Sequence, residues 1–524
     1  VQIGELEGES VIVARFMGFV DASRITVPAE KTLPAERYAA LPVYNFIDRL
    51  SYQHFQKLGL YPSDECTDEE FIRRSTLDAI GMLPSVAEVR AFLADPSPGK
   101  RQRWIEHLLE HPAYADYWAN KWADLLRPNP DRVGVKSIYF LDQWLRESFA
   151  RNKPLDQFVR EVLVAEGANH EEGPITIYRD RRDPPELTTM FGQLFLGVRM
   201  ECAKCHHHPT EKWSQDDFYQ LAAHFGALKQ KGAGLSPPIS AGTETFYFAN
   251  GKNAVRHPVT EELMKPRPLD AREFAPEEGD PRASLADWMT EKSNPYFARA
   301  AVNRVWAVFF GRGFVDPVDD FRISNPPVNE PLLDALAADF TEHGYDLKHL
   351  MRTIMNSRTY QLSSTPNEFN LHDTKNFSRS LRRRLPAEVL LDAVNDVTGT
   401  EDEFNGCPPG TRAVQTWSYK VRSQFMDAFG RPNSSSDCPC ERDARTSVVQ
   451  SLHMMNSRGL QSKLSDKNGR VKLLAEGGLK PEAIITELYL AALARFPSRS
   501  EMEAASAAFS GDQASRQAAA EDVL

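Results

Sequence analysis

The sequence predicts a mainly α-helical protein of two helical domains packed together, with a short β segment at the N-terminus and an irregular linker. Three observations support this prediction. Apolar residues recur at helical spacing over most of the chain. The 524 residues are enough for two to four domains with cores of their own. Glycine, proline and charged residues concentrate at 229–282, between two helix-rich regions.

Residues 1–35 have the composition of β-strands. Residues 10–16 and 25–27 are rich in β-branched side chains, and Gly18 and Asp21 lie between them. So short a segment cannot form an independent sheet domain. We therefore expect it to be an arm, or the tail of an upstream β module.

The spacing of apolar residues in 36–228 predicts a first helical domain. Apolar side chains of 43–58 fall on one face, and Thr67 begins a capping sequence for a helix that ends near Gly81. Further helices are predicted at 86–94, 100–110, 113–126, 137–150 and 155–165. An apolar segment at 187–198 leads into a cysteine motif, and Ser214 caps the helix that follows it.

The spacing of apolar residues in 283–524 predicts a second helical domain after the linker at 229–282. Its clearest predicted helices are 296–310, 331–343, 346–358, 386–397, 446–463 and 480–494. Within the linker, residues 243–248 have β character.

Composition excludes several classes of protein. The net charge of −11 argues against a nucleic-acid surface, and the chain has no apolar run long enough to span a membrane. The sequence contains no G-x-S-x-G, H-E-x-x-H or P-loop motif, which removes the commonest hydrolase and nucleotide-binding patterns.

The most informative motif is Cys202-Ala-Lys-Cys205-His206, a C-x-x-C-H. This spacing is typical of c-type haem, because two thiols three residues apart can bind the two vinyl groups of one porphyrin and the histidine can bind its iron. A sixth iron ligand could come from His453 or Met454 on a predicted helix. His208 is then a candidate proton-transfer residue.

Other cysteines and acids leave alternatives open. Cys438 and Cys440 form a C-x-C that, with Cys202 and Cys205, could complete a four-thiolate site for zinc or an iron–sulfur cluster. Asp319 and Asp320 could act with His208 as catalytic acid and base, although a salt bridge or helix cap is the simpler interpretation.

In combination, these motifs resemble the paired domains of unknown function found in large planctomycete proteins with cytochrome c modules. The resemblance rests on Phe71-Ile-Arg-Arg, Cys202-Ala-Lys-Cys-His-His-His-Pro, Gln215-Asp-Asp-Phe-Tyr, Asn303-Arg-Val-Trp, Phe310-Gly-Arg-Gly, Asp319-Asp-Phe-Arg, Asn356-Ser-Arg-Thr-Tyr, Cys438-Pro-Cys-Glu-Arg and Leu452-His-Met-Met-Asn. It implies an exported protein, periplasmic or extracellular, with a cytochrome c redox partner and often carbohydrate-binding neighbours. It also implies that residues 1–35 are the tail of an immunoglobulin-like domain.

We therefore predict an exported c-type haem protein that acts as a haem-dependent oxidoreductase. One haem in a chain of this length suggests a shaped substrate pocket, expected at the domain interface, rather than a simple carrier. Carbohydrate is the substrate class that the family's neighbours suggest. The alternatives are a non-catalytic electron-transfer cytochrome and a zinc-stapled hydrolase or binding module.

Overall fold

The computed structural model describes residues 8–16, 19–29, 33–232, 245–250, 252–271, 279–418, 420–432, 447–509 and 513–524. These residues contain 24 α-helices, a β-hairpin near the N-terminus and one small three-stranded sheet. The prediction of a mainly α protein with a short N-terminal β segment is therefore confirmed. Within the same residues, every helix is too short or too polar to cross a lipid bilayer.

The chain forms two compact units, and each unit is discontinuous in sequence. The first consists of residues 1–65 and 128–382, and the second of residues 66–127 and 383–524. Thus the chain leaves the first unit after Glu65, returns to it at Pro128 and leaves it again after Arg382. Sequence patterns predict domain boundaries near 228 and 283, and they show which faces of the helices are apolar but not which helices pack together.

The first unit contains half of the helices. They are Ala35–Ala39, Phe46–Leu58, Pro130–Val133, Val135–Ala150, Leu155–Leu163, Ile175–Asp180, Pro184–Phe191, Gln215–Ala222, Pro281–Thr290, Phe297–Phe310, Glu330–Glu342 and Leu347–Met355. A π-helical turn at Gly192–Leu196 and 3₁₀ turns at Glu201–Lys204 and Ala223–Phe225 complete them.

The β-strands also belong to the first unit. Gly8–Phe16 and Phe19–Val27 form an antiparallel hairpin in which Gly8 pairs with Val27, and the backbone N–H of Ala29 donates to the carbonyl of Leu58 at the end of the helix Phe46–Leu58. Thr245–Ala249 is the central strand of an antiparallel sheet, between Gly167–Ala168 and Leu228–Gly232. The segment expected to be an irregular linker therefore contributes strands to the first unit.

A buried aromatic cluster fixes the Phe297–Phe310 helix in this unit. Trp306 is fully buried, and its ring lies 4.0 Å from that of Phe310 and 4.4 Å from that of Phe314. On the same helix, the Asn303 side chain accepts from the backbone N–H of Val315 and donates to the carbonyls of Val315 and Val318. These bonds fix the course of the chain as it leaves the helix and approaches the acidic pair at 319–320.

The second unit is entirely helical in the part of the chain that the structure describes. Its helices are Asp68–Ile80, Val86–Ala94, Lys100–Glu110, Ala113–Leu126, Ala387–Thr398, Gln424–Ala428, Val448–Asn456, Arg458–Leu464, Arg470–Glu476, Pro481–Leu493, Arg499–Ala507 and Gln513–Val523. The predicted helix at 446–463 is divided, because the Ser457 side chain caps a new helix by accepting from the backbone N–H of Leu460.

Candidate functional site

The cysteine motif lies in the first unit on a short 3₁₀ turn, Glu201–Lys204. The backbone N–H groups of Cys205 and His206 both donate to the carbonyl of Cys202, which closes the turn. Cys202 and Cys205 are free thiols, and both residues are exposed. The turn therefore presents two thiols to solvent.

The helix Gln215–Ala222 holds this turn in place. The side-chain amide of Gln215 and the hydroxyl of Tyr219 both donate to the carbonyl of Lys204, at 3.0 and 3.2 Å. The helix begins with a capping box, in which Ser214 and Asp217 each bind the other's backbone N–H. Two side chains of a well-capped helix thus fix the carbonyl that precedes Cys205.

His206 is exposed, and its Nδ1 lies 2.6 Å from the carbonyl oxygen of His207. A carbonyl can only accept, so Nδ1 carries the proton in this hydrogen bond and Nε2 has a free lone pair. Metal-bound histidines usually donate their second ring N–H to a carbonyl or carboxylate in this way. The geometry gives His206 the tautomer of an Nε2 iron ligand.

His208 is buried, unlike the residues of the cysteine turn. Its backbone N–H donates to the carbonyl of Trp213, and its Nδ1 accepts from the backbone N–H of Thr210 at 3.3 Å. Burial lowers the pKa of His208, and the Arg322 guanidinium lowers the pKa further. In the neutral ring Nε2 therefore carries the proton and can donate it.

Glu211 is a buried carboxyl group that the sequence analysis missed. Its Oε2 accepts from the backbone N–H of Ile323 at 3.4 Å, and its Oε1 is buried with no hydrogen-bond partner in the described part of the chain. Burial raises the pKa of Glu211 above the ordinary glutamate value. Only its position, two residues after the motif's Pro209, could have drawn attention to it.

The acidic pair lies against the segment that leads into the motif. Asp319 accepts from the Arg199 guanidinium at 2.5 Å and from the Gln193 side chain, while Asp320 accepts from Arg322 at 2.7 Å. Each carboxylate therefore has an arginine partner, as the salt-bridge interpretation expects. A role as catalytic acid and base stays a prediction.

Gly197 allows these two segments to approach each other. Its carbonyl accepts from the backbone N–H of Phe321 at 2.9 Å, and a Cβ at this position would lie 2.6 Å from the Phe321 ring. Its φ of 70° is also in the left-handed region, which favours glycine. A side chain here would separate the acidic segment from the cysteine motif.

The predicted sixth ligands lie in the second unit, on the helix Val448–Asn456. The His453 ring packs edge-on against Phe425 and Phe429, at 5.4 and 5.9 Å between centroids, and Met454 is 48% exposed. Their role as iron ligands remains a prediction. Cys438 and Cys440, the other half of the four-thiolate alternative, lie outside the described residues.

A compact metal site formed by the motif alone is not supported. In the described ranges, the group of metal-ligating side chains whose ligand atoms all lie within 4.8 Å of one another does not include Cys202, Cys205 or His206. A tetrahedral zinc site, with bonds of about 2.0–2.3 Å, needs its ligand atoms closer together than this. A haem has no such requirement, because the thioethers bind the edge of the porphyrin and the histidine binds its centre.

A small cavity of about 180 Å³ adjoins the end of the motif. Lys212 and Trp213 line it together with three charged residues, Asp217, Arg267 and Asp270. The Lys212 ammonium lies 4.6 Å from the centroid of the Trp213 ring. The cavity is large enough for a small polar ligand but not for a porphyrin.

Two family models match the chain. Residues 46–230 match PSCyt2, a protein of unknown function (DUF1549), and residues 281–509 match PSD1, a protein of unknown function (DUF1553). No curated protein and no solved structure matches it.

The site described above contains residues from both matched regions. The segment from Cys202 to Glu211 falls in the first match, whereas the segment from Asp319 to Ile323 falls in the second. Both segments lie in the first unit of the structure. The chain therefore contains the DUF1549 and DUF1553 domains together, matching the paired planctomycete domains.

Proposed function

We propose that this protein is an exported c-type haem protein and acts as a haem-dependent oxidoreductase. Cys202 and Cys205 would hold the haem covalently, and His206 would bind its iron. The observation that carries the proposal is the exposed turn with two free thiols, followed by a histidine whose Nε2 lone pair is available. When bound, the haem supplies electron-transfer or oxygen chemistry.

The residues of the turn fit covalent attachment. Both thiols are accessible, so thioether bonds can form without opening the core of the unit. The carbonyl of Lys204 is held by two side-chain donors, which limits movement of the cysteine beside it. An ordered turn lowers the entropic cost of bringing both sulfur atoms to one porphyrin.

Two buried titratable groups close to the turn favour an enzyme over a carrier. Neutral His208 has a proton on Nε2 to donate, and Glu211 keeps its proton to higher pH than an exposed glutamate does. Perturbed pKa values of this kind cluster at catalytic sites, because proton-coupled reactions use buried acids and bases. We therefore assign proton transfer to His208 and Glu211.

Carbohydrate as the substrate class, a cytochrome c as the redox partner and a periplasmic or extracellular location are parts of the same proposal. They derive from the family resemblance. The cavity beside Trp213 is lined by charged side chains, which can hydrogen-bond the hydroxyl groups of a sugar.

The test is a visible spectrum of the full chain made together with c-type maturation proteins. We expect a Soret band that stays with the chain after denaturation, and a positive pyridine haemochrome assay. Cys202→Ser with Cys205→Ser should abolish the covalent colour, whereas Cys407→Ser, which changes a cysteine of the second unit, should retain it.

A colourless chain, despite competent maturation, would refute the haem proposal, and bound zinc or iron with sulfide would then favour the four-thiolate alternative. The enzyme proposal has a separate test. His208→Gln and Glu211→Gln should leave haem content unchanged and lower turnover of an oxidisable sugar. Unchanged turnover in both variants, or none in the parent, would leave a carrier as the function.

A further inference from the structure

A second cluster of metal-ligating side chains lies in the first unit, away in sequence from the cysteine motif. Asp339 and His343 are one helical turn apart at the end of the helix Glu330–Glu342, and His349 is in the first turn of Leu347–Met355. One ligand atom from each residue lies within 4.8 Å of those of the other two.

The contacts within this cluster are close. His349 Nε2 lies 2.9 Å from Asp339 Oδ2, and His343 Nδ1 lies 3.4 Å from Asp339 Oδ1. His343 Nδ1 also donates to the backbone carbonyl of Asp339 at 2.8 Å, which leaves His343 Nε2 as the atom that can bind an ion. The two imidazole rings are nearly parallel, with centroids 3.7 Å apart, so the three side chains are in mutual contact.

The turn that joins the two helices is well fixed. The backbone N–H of Tyr345 donates to the carbonyl of Phe340, and the Tyr345 hydroxyl donates to the carbonyl of Thr290. The buried Tyr345 ring also packs edge-on against the Phe340 ring. In addition, Asp346 caps the second helix by accepting from the backbone N–H of His349. The three ligands therefore sit on a rigid support, which metal sites require.

The chemistry of the donors selects the kind of ion. Two imidazoles and one carboxylate suit borderline divalent ions such as Zn²⁺, whereas Mg²⁺ and Ca²⁺ prefer oxygen ligands alone. Three protein ligands and one water are a common zinc coordination. The His343 side chain is 49% exposed, so an ion and its water can reach the cluster from solvent.

We propose that Asp339, His343 and His349 form a binding site for a divalent transition-metal ion, with zinc as the ion that fits best. The ion joins the end of one helix to the start of the next and so stabilises the helical hairpin. This site is separate from the cysteine motif and does not depend on the haem proposal.

The experiment is calorimetric titration of the full chain with Zn²⁺, alongside His343→Gln, His349→Gln and Asp339→Asn. His372→Gln is the matched control, because His372 is an exposed histidine of the same unit. All these chains keep the cysteine motif, so differences between them report the second cluster alone. Circular dichroism establishes that each variant is folded.

We expect the parent and His372→Gln to bind one more Zn²⁺ than His343→Gln and His349→Gln bind. Each lost ligand should weaken that site by more than about 100-fold, since removing even an outer-shell partner of a metal ligand costs about 10- to 100-fold. Zn²⁺ should also raise the melting temperature of the parent more than that of His343→Gln. Equal stoichiometry and affinity in the parent and His343→Gln would overturn the proposal.

Discussion

Asp48 is a fully buried carboxylate whose removal should destabilise the first unit strongly. One oxygen accepts from the backbone N–H groups of Tyr44, Asn45 and Arg358, at 2.8, 3.4 and 3.1 Å. The other accepts from both the backbone N–H and the hydroxyl of Thr359, each at 2.8 Å. Asp48 thereby joins two segments more than 300 residues apart, one from each family match.

The expected magnitude follows from these five donors, three of which are buried. In Asp48→Ala each of them loses its acceptor inside the protein, and an unsatisfied buried donor costs about 1–3 kcal/mol. Water entering the space left by the carboxylate recovers part of this. We therefore expect a loss of about 4 kcal/mol, which is at the high end for a single substitution. At about 2 °C per kcal/mol for a large domain, the melting temperature should fall by about 8 °C.

Differential scanning calorimetry of the full chain measures this shift. The control is Asp64→Ala, because Asp64 belongs to the same unit but is exposed. It should change the melting temperature by less than about 1 °C, since exposed substitutions usually cost under about 0.5 kcal/mol. If Asp48→Ala lowered the melting temperature no more than Asp64→Ala does, the buried network would not have the role given to it here.

Three further predictions can be tested. Tyr219→Phe removes one of the two side-chain donors to the carbonyl of Lys204 in the cysteine turn, and it should lower the yield of covalent haem. Tyr139→Phe, at an exposed tyrosine, should leave that yield unchanged. Equal yields from the two variants would contradict this prediction. Burial raises the pKa of Asp392 to about 6, so its ionisation costs the folded state about 3 kcal/mol as pH rises from about 4 to about 6. The parent should therefore lose stability relative to Asp392→Asn over that range in urea titrations, and a pH-independent difference would refute the pKa. Finally, we expect no cooperative unfolding from residues 46–230 or residues 281–509 expressed separately, because each compact unit contains helices from both fragments. A sharp unfolding transition in either fragment would contradict the division of the chain into these two units.

Local signals in the sequence were sufficient for much of the helical structure. Thr67 and Gly81 were expected to bound a helix, and they cap Asp68–Ile80 at its two ends. Ser214 likewise caps the helix after the cysteine motif. Caps of this kind act within one turn of helix, so they can be read from a few neighbouring residues. The mainly α class follows from the same patterns.

The packing of helices that are distant in sequence could not be predicted from such local patterns. The helices between Asp68 and Leu126 belong with residues beyond 383, although they directly follow the helix Phe46–Leu58 of the other unit. The amphipathic pattern of a helix shows that one face is buried but carries no label for its partner. The short helices Arg470–Glu476 and Arg499–Ala507 were also missed, since few residues of either are buried.

In the candidate site, too, sequence patterns do not reveal which distant side chains pack together. The cysteines and His206 are identifiable because their chemistry depends on spacing along the chain. Glu211 owes its raised pKa to burial, and its one described donor, Ile323, is 112 residues away. His208 similarly owes its lowered pKa to burial and to Arg322. The proposed haem attachment thus depends on a local pattern in the sequence, whereas the protonation of the groups beside it is set by a second segment. Under this proposal the segment from Asp319 to Ile323, in the DUF1553 match, acts on groups beside a motif that lies wholly in the DUF1549 match.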